Sequence, residues 1–503
     1  MDVIQGSVFC RAWKNSILYL ALSAFFDRIL VNWARGSAVC RFFVRESPVG
    51  RGWDTSWFGR FVTFVANLVP NLLHWLYRKG TRLFQGSFLC RFGYAVGDQA
   101  AVLSSWVVLV ILACPHEAWN NTYGLLAAVL LLFVFYLAGM RDAGARVQTG
   151  LLGGAFWIYA LTIVIGVLIS YSKTDSLRYF LFHFMSLLIA AVIISSVKSR
   201  DQLYRLVGFA AFGVCVASLY GFWQKYDGIE INTSIVDLNT SGDTPGRVFS
   251  FFDNPNTFAQ ILVLLIPLCC ALVLGSRSWR GKFWASVSVV LGFVSIMLTY
   301  SRSSWLGLAG AIFLFCFLVN RKSVVFLLLA GFAAIPFLPE TILNRILTIS
   351  NSSDSSISGR FPIYQAGLRV FRDNWLMGVG LGSEVSTGIL QSGGYYHGAF
   401  RFAHYHNIFL QIMVERGLVG LLSFLGTLYL GLKEGLRSVS LPGCDRSVRY
   451  LIFGAAAGLF GELICGLADY IWHYPRAMML FWFVFAILLA GAKLAARESA
   501  ETL

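Results

Sequence analysis

The chain has 503 residues, of which 57% are hydrophobic and 13% are charged. Soluble globular domains carry about 25% charged residues, so this composition excludes an ordinary soluble protein. The formal net charge of +15 would suit a nucleic-acid-binding protein. The basic residues, however, collect in the loops on one predicted face of a membrane, and we therefore predict no nucleic-acid partner.

Residues 1–98 differ from the remainder of the chain, because aromatic, moderately apolar stretches alternate there with many arginines and lysines. This pattern predicts a basic amphipathic region on the cytoplasmic membrane surface that binds anionic lipids. Residues 6–11, 36–41 and 86–91 each begin with Gly-Ser and end with Cys-Arg, which indicates one repeated module. The repeat is either a decayed duplication or a docking surface for a partner or lipid.

From residue 99 onward, apolar runs alternate with short polar segments. A run of about 20 apolar residues crosses the hydrocarbon core as a helix, and lipid does not tolerate the open edge of a sheet. We therefore predict an all-α polytopic transmembrane helical bundle of about twelve spans over residues 99–503. Basic residues beside the predicted inner loops indicate the cytoplasmic (inner) membrane, with both termini in the cytoplasm.

Two segments, residues 223–254 and 339–404, are predicted to be long extracytoplasmic loops. The second lies before the last three spans and is far longer than an ordinary connector of about 12 to 15 residues. It contains an amphipathic stretch, residues 361–376, followed by a glycine-rich turn at 378–382. Unusually long loops are often functional, so this loop is a candidate site.

Four residues on the predicted outer face are candidates because positive charge there gains nothing from topology. They are Arg247, Arg302, Arg360 and His406. Arginine donates hydrogen bonds in a planar fork that suits a diphosphate and offsets its negative charge. Histidine can remove a proton from a hydroxyl group near neutral pH. Together these residues predict glycosyl transfer without a metal.

Each candidate also has a structural interpretation. Every arginine can be a solvated charge or the ion-pair partner of a nearby acid such as Asp253 or Asp354, and His406 can be a structural hydrogen-bonding group. His397, His404 and His406 also suggest a metal site, but no acidic residue or cysteine lies at ligand spacing. We therefore predict no bound metal.

These residues occur in recognisable motifs. The segment that begins His406-Asn407 continues with nine residues and then Gly-Leu-Val-Gly at 417–420, which resembles the signature of the O-antigen ligase superfamily. Residues 299–305, Thr-Tyr-Ser-Arg-Ser-Ser-Trp, resemble the Ser-Arg hairpin of that family. Residues 359–361 and 374–380 are similar to the start of its large periplasmic loop. The resemblance covers roughly residues 100–495.

The resemblance implies a membrane glycosyltransferase that acts in assembly of the cell envelope. A lipid-linked oligosaccharide or polysaccharide on undecaprenyl diphosphate would be the donor, and a hydroxyl of a glycan, lipid or protein would be the acceptor. It implies that His406 is the base and that Arg247 and Arg360, with Arg302 as a further candidate, bind the diphosphate. No metal, ATP or other cofactor is implied. Ligase and polymerase share this donor chemistry, so both remain open.

Two other classes of function remain compatible with a helical bundle. One is a membrane transporter of a small solute such as bicarbonate, although few ionisable residues lie deep within the predicted spans, with Glu462 the clearest. The other is a non-catalytic scaffold that docks through residues 1–98.

Overall fold

The computed structural model describes residues 24, 52–53, 55–229, 246–337, 339–347, 359–397 and 402–502. Most of the predicted N-terminal module up to residue 51 lies outside these ranges, as does the predicted partner Asp354. Within them every regular element is a helix, which confirms the all-α fold class.

Four short helices precede the spans, namely α1 (Trp57–Ala66), α2 (Leu68–Lys79), α3 (Thr81–Gly86) and α4 (Phe88–Gly97). Ser56 and Ser87 cap α1 and α4 through their hydroxyl oxygens, which accept hydrogen bonds from the first-turn amides. Large apolar side chains on these helices are exposed, including Trp57 at 74% and Leu89 at 77%.

Ten described helices are long and apolar enough to cross a membrane. They are α6 (Asn121–Ala138), α7 (Thr149–Ile169), α8 (Lys173–Ser196), α9 (Arg200–Asp227), α10 (Pro255–Gly275), α11 (Trp279–Leu298), α12 (Arg302–Asn320), α17 (Ile408–Ser438), α18 (Arg446–Cys465) and α19 (Pro475–Thr502).

The two remaining predicted spans are helical but short. Helix α5 (Ala100–Ala113) meets the requirements for a span only together with α4, against which it is bent by 57°. Helix α13 (Ser323–Ala334) has 12 residues, fewer than the roughly 20 that cross a bilayer. The predicted count of about twelve over residues 99–503 therefore corresponds to ten full-length helices, one bent pair that includes α5, and the short helix α13.

Helices α10, α18 and α19 form the centre of the bundle. In the apolar 18-residue stretch of each helix, 83%, 78% and 94% of the residues, respectively, are buried. Small residues bring two of them together: a Cβ added at Gly458 of α18 would lie 2.3 Å from the carbonyl oxygen of Leu264 in α10. Such close backbone contact is the usual way in which helices associate in lipid, where no hydrophobic effect drives them together.

The outer connections contain three further helices, α14 (Glu340–Leu347), α15 (Arg360–Asp373) and α16 (Ser383–Ser392). Helix α15 largely coincides with the amphipathic stretch predicted at 361–376, and its buried face includes Ile363 and Val370. These side chains join Tyr405 and Val414 in a small apolar core of their own. The described parts of the long outer loop are therefore folded against the start of α17.

Candidate functional site

Helix α17 is broken at Gly417, which has φ 64° and ψ −164°. The chain that follows α15 runs into this break and supplies the missing hydrogen bonds. The Leu418 amide donates to the Trp375 carbonyl at 2.7 Å, and the Val379 amide donates to the Val414 carbonyl at 2.9 Å. Because lipid offers no hydrogen-bond partners, a broken span persists only where protein satisfies its backbone in this way.

The first glycine of the motif, Gly417, is required at the break for two reasons. Its positive φ is a conformation that other residues rarely adopt. In addition, a Cβ there would lie 2.3 Å from the carbonyl carbon of Leu376. The spacing between His406 and Gly417 thus corresponds to the length of helix between the start of α17 and the break.

His406 lies just before α17 and contacts Asp469 in the turn that follows α18. Its Nδ1 atom is 3.4 Å from Asp469 Oδ1. An ionised carboxylate can only accept hydrogen bonds, so Nδ1 carries a proton in this contact, and the tautomer of a neutral imidazole that fits has its lone pair on Nε2. The Gln260 side chain donates to Asp469 Oδ2 at 3.0 Å, and the Tyr470 amide donates to Oδ1 at 2.8 Å.

The environment of Asp469 favours its charged form. Burial would raise its pKa, but the hydrogen bond from His406 and the positive charge of Arg360 hold the pKa below its ordinary value. The side chain of Asp469 is 11% exposed, whereas that of His406 is 34% exposed. The imidazole is therefore oriented from inside the protein and is accessible from outside.

The backbone of His406 has φ 49°, the left-handed region that non-glycine residues seldom occupy. Its amide donates to His404 Nδ1 at 3.2 Å, and the Tyr364 hydroxyl donates to its carbonyl at 2.9 Å. Asn407 then caps α17, since its side-chain oxygen accepts from the Leu410 amide at 2.9 Å. This explains the His-Asn pair: the histidine turns the chain and the asparagine starts the helix.

The described residues include two other non-glycine residues with positive φ, Ser250 at 55° and Tyr300 at 51°. Like His406, each lies a few residues before a span begins: Ser250 before α10 and Tyr300 before α12. Strained residues of this kind cost about 1 to 3 kcal/mol each and are often found at functional sites.

Arg360 is the first residue of α15 and lies one turn before Tyr364 on the same helix face. Its charge acts on Asp469, and it also lowers the pKa of Tyr364, which burial raises. Arg302 is likewise the first residue of α12. Helix N-termini carry partial positive charge and ordinarily favour acidic residues, so an arginine at each creates two regions suited to an anion.

Arg247 connects the ends of two spans, α10 and α11. Its Nε donates to the Thr299 carbonyl at 2.7 Å, and an Nη atom donates to the side-chain oxygen of Asn256 at the start of α10. Thr299 is three residues before Arg302 in the chain. One turn further along α10, Gln260 holds Asp469, so Arg247 is linked to the carboxylate through one helix.

Arg302 lies close to the same group of helix ends. The carbonyl of its neighbour Ser303 accepts from the Cys465 thiol at the end of α18 at 3.5 Å. The next residue, Gly466, accepts from the Ile408 amide at the start of α17 at 2.8 Å. The structure therefore brings Arg360 and His406 to one carboxylate and gathers Arg247 and Arg302 on adjoining helix ends.

Two further histidines extend the cluster. The ring of His404 is 4.2 Å from that of His406 and 5.2 Å from that of His473, centroid to centroid. His473 Nδ1 lies 3.1 Å from the hydroxyl oxygen of Ser383. Burial lowers the pKa of both His404 and His473, which favours their neutral forms.

The expectation that these histidines have no acidic neighbour is wrong. The ligand atoms of His404, His406 and Asp469 all lie within 4.8 Å of one another, a group that could hold a metal ion. Asp469 is supplied from another span, which spacing along the chain cannot show. Its oxygens and His404 Nδ1 already take part in hydrogen bonds, so a metal would have to displace them. His397, by contrast, is exposed on the outer loop.

Sequence reasoning missed Asp469, Gln260 and Tyr364. One signal was present in the sequence: Asp469 is an acid in an otherwise apolar and aromatic turn between the last two spans. Gln260 and Tyr364 offered none, because a glutamine in a span and a tyrosine in an amphipathic helix are ordinary residues there.

Comparison with known proteins shows two similarities. Residues 287–425, which include Arg302, Arg360 and His406, match the model of the family described as O-antigen ligase. The chain is also 25% identical over 379 residues to the exopolysaccharide production protein ExoQ of Rhizobium meliloti (strain 1021), which spans 68% of this chain and 82% of that protein.

Both findings agree with the many apolar helices and with the His-Asn and Gly-x-x-Gly motif at 406–420. They support a role as a membrane glycan ligase or polymerase in the assembly of envelope polysaccharide. The chain is a multi-pass membrane protein that is similar to the O-antigen ligase family over residues 287–425 and to the exopolysaccharide production protein ExoQ over much of its length.

Proposed function

We propose that the protein transfers an oligosaccharide or polysaccharide from an undecaprenyl-diphosphate carrier to an acceptor hydroxyl at the outer face of the cytoplasmic membrane, as a ligase or polymerase. The observation that carries this proposal is the accessible His406 held by the buried Asp469, with Arg360 beside them. A base and a nearby cation are what transfer from a glycosyl diphosphate requires.

The reaction uses His406 as a general base. Nε2 takes the proton of the acceptor hydroxyl while its oxygen forms the new bond to the anomeric carbon. The bond from that carbon to the diphosphate oxygen breaks, and undecaprenyl diphosphate leaves with the electron pair. Asp469 keeps the imidazole in the correct tautomer and stabilises the imidazolium that forms.

The arginines act on the leaving group. Arg360 and Arg302, each at a helix N-terminus, and Arg247, which is hydrogen-bonded to Asn256 at the start of α10, bind the diphosphate and offset the charge that develops on it. A guanidinium group remains cationic at every relevant pH and binds two oxygens at once. These charges take the place that a divalent cation has in many phosphoryl-group enzymes, so we propose that transfer needs no metal.

The proposal includes an orientation in the membrane. Arg141, Arg146, Arg277 and Lys433 lie near span ends opposite to the His406 end, which agrees with a cytoplasmic location for these residues and for both termini. Residues 1–98 then lie at the cytoplasmic surface and bind anionic lipid, apart from the transmembrane domain 99–503. Reporter fusions after residues 50 and 503 test this orientation, since both fusions should be active only as cytoplasmic reporters.

The decisive experiment replaces His406 with alanine. We expect transfer to fall by about 10² to 10⁴, while the amount of inserted protein and its thermal stability stay near wild type because His406 is part-exposed. The measurement is the polymer produced by a deletion strain that carries the variant. His397→Ala, on the same loop but exposed, is the matched control. Unimpaired glycan in His406→Ala cells contradicts the proposal.

Transport of a small solute is a second candidate because ionisable groups lie inside the bundle. Glu462 and His183 are at most 1% exposed, and neither side chain has a hydrogen-bond partner among the described residues. Such residues often mark an ion pathway. Bicarbonate uptake by purified protein in liposomes that lack any glycan lipid tests this candidate, and uptake no higher than in empty liposomes would count against it.

A further inference from the structure

The left-handed turn at His406 is held from inside the bundle by a buried glutamine. Gln411, in the first turns of α17, has no exposed surface, and its side-chain oxygen accepts from the Tyr405 amide at 3.0 Å. Its side-chain nitrogen donates to the Ser386 hydroxyl at 2.8 Å and to Glu415 Oε1 at 2.7 Å. The side-chain amide of Gln411 therefore makes three hydrogen bonds, one through its oxygen and two through its nitrogen.

These partners fix which way the amide of Gln411 points. If it were flipped, its oxygen would face the carboxylate of Glu415 and its NH2 group would face the Tyr405 amide. Both contacts would be repulsive, and in a buried site an unsatisfied polar group costs about 1 to 3 kcal/mol. The Tyr405 amide and the Glu415 carboxyl group together thus fix the orientation of Gln411.

Glu415 is itself anchored by a buried charge pair. It is fully buried, and its Oε2 atom lies 4.0 Å from Nε of Arg416. The Arg416 guanidinium is in turn 4.8 Å from the centre of the Tyr159 ring on α7. A carboxylate inside a membrane protein is costly unless a charge of opposite sign lies near it, and Arg416 provides that charge.

Tyr405, the residue before His406, is fixed at both ends by this arrangement. Its amide is held by Gln411, and its hydroxyl donates to the Ser386 carbonyl at 2.9 Å. On the other side of His406, the Tyr364 hydroxyl holds the His406 carbonyl. Gln411 thus holds the His404–Tyr405 peptide and Tyr364 holds the His406–Asn407 peptide, while the His406 amide between them donates to His404. These bonds restrain rotation on both sides of His406, which favours its positive φ and keeps the imidazole near Asp469.

We propose that Gln411, oriented by Glu415, is a positioning residue for His406. This inference rests on the proposed function, because positioning matters to transfer only if His406 is the base. Gln411 has no surface on the outer face, so it acts on the reaction only through the Tyr405–His406 turn. Small displacements of a catalytic group are costly, since about 1 Å can reduce a rate a hundredfold.

The first test is amide hydrogen exchange on purified full-length protein carrying Gln411→Leu, which preserves much of the volume. Loss of the acceptor should speed exchange in the peptide that covers 402–410 by about fivefold to tenfold. The matched control is Thr427→Val, a buried change beyond the break in the same helix, where the hydroxyl bonds only to Ser423. Unchanged exchange at 402–410 in Gln411→Leu overturns the proposal.

The second test measures transfer per folded molecule, with lipid-linked saccharide extracted from the producing cells as donor. We expect Gln411→Leu to lower kcat by about tenfold to a hundredfold while KM for the donor stays within about twofold, because Gln411 does not touch the donor. Thr427→Val should keep both constants. A wild-type kcat in Gln411→Leu overturns the positioning role even if the turn is loosened.

The variant His406→Ala distinguishes failure of the positioning role of Gln411 from failure of the proposed transfer function. An inactive His406→Ala together with a fully active Gln411→Leu leaves the proposed function intact and rejects the positioning role. A fully active His406→Ala rejects the proposed function itself, whatever the exchange rates at 402–410 show.

Discussion

The outer ends of α10, α12, α17 and α18 differ sharply from the helices α1 to α4 near the other face. At the outer ends, polar residues are buried and joined to one another, as in the contacts of Asp469 with His406 and Gln260. In α1 to α4 the large apolar side chains are exposed, Trp57 and Phe88 at more than 70%, and few hydrogen bonds join them to the bundle.

The hydrogen bonds between the N-terminal helices and the bundle lie close together. Asn67 bonds with the backbone of Val147, Thr63 with Thr149, and the Tyr136 hydroxyl with the Ala66 carbonyl. These hydrogen bonds attach the N-terminal helices to the ends of α6 and α7, and the large apolar side chains on their other faces are exposed. The polar cluster is therefore held in one geometry, whereas the exposed apolar side chains of α1 to α4 are consistent with the prediction that this region lies on a membrane surface.

The largest effect should come from removing the charge that orients the base. Asp469→Asn keeps the shape of the side chain but favours the wrong tautomer of His406, so transfer should fall by about a hundredfold or more. Asn254→Ala, at the outer end of α10 but bonded to Tyr474, is the control. Polymer formation in membranes measures the effect, and wild-type activity in Asp469→Asn would separate the carboxylate from the chemistry.

The next largest effect should come from closing the break in α17. Gly417→Ala places a methyl group against the Leu376 backbone and forces a non-glycine residue to positive φ, which together cost about 1 to 3 kcal/mol or more of stability. Thermal unfolding of the purified protein measures this loss. Gly426→Ala, on the same helix where a Cβ meets only Ala155 at 3.3 Å, should change the unfolding temperature much less.

Acidification should destabilise the outer region selectively. Burial lowers the pKa of His473 in the folded protein, whereas in the unfolded chain it is near 6.5. The unfolded state therefore binds more protons below pH ~6.5, and stability falls as the pH drops through that value. Unfolding temperatures at pH 8 and pH 5.5 measure the effect. His473→Gln should reduce this dependence, and His397→Gln at the exposed position should leave it unchanged.

The N-terminal region should contribute to lipid binding and little to transfer. Changing Arg60, Arg78 and Lys79 to glutamine should weaken binding of the purified protein to anionic lipid by about 1 kcal/mol per charge near the surface. Transfer by the variant should stay within about twofold of wild type, because these helices make no described contact with the outer site. Loss of transfer in this variant would show that the two regions are coupled.

Removal of metal ions should have the smallest effect on transfer. Dialysis against a chelator should leave transfer unchanged if the arginines alone balance the diphosphate charge. Loss of activity that is restored by one divalent metal would instead assign the His404, His406 and Asp469 group to a metal.

The sequence by itself determined the helical membrane fold and the motif from His406 to Gly420, and it predicted an outer location for the candidate charges. These follow from local features: the length of apolar runs, the side on which basic residues collect, and residue types at fixed spacing. The need for glycine at position 417 was visible as a motif, although its reason was not.

Only the tertiary structure decided which residues surround His406. Asp469 and Gln260 come from other spans and reach it through helix packing, and spacing along the chain does not encode such contacts. The structure also decided that α5 and α13, whose apolar sequences resemble full spans, are a helix bent against α4 and a short helix, respectively. Burial likewise decided that Gln411 and Glu415, ordinary residues of a helix in sequence, are enclosed and tied to the turn at His406.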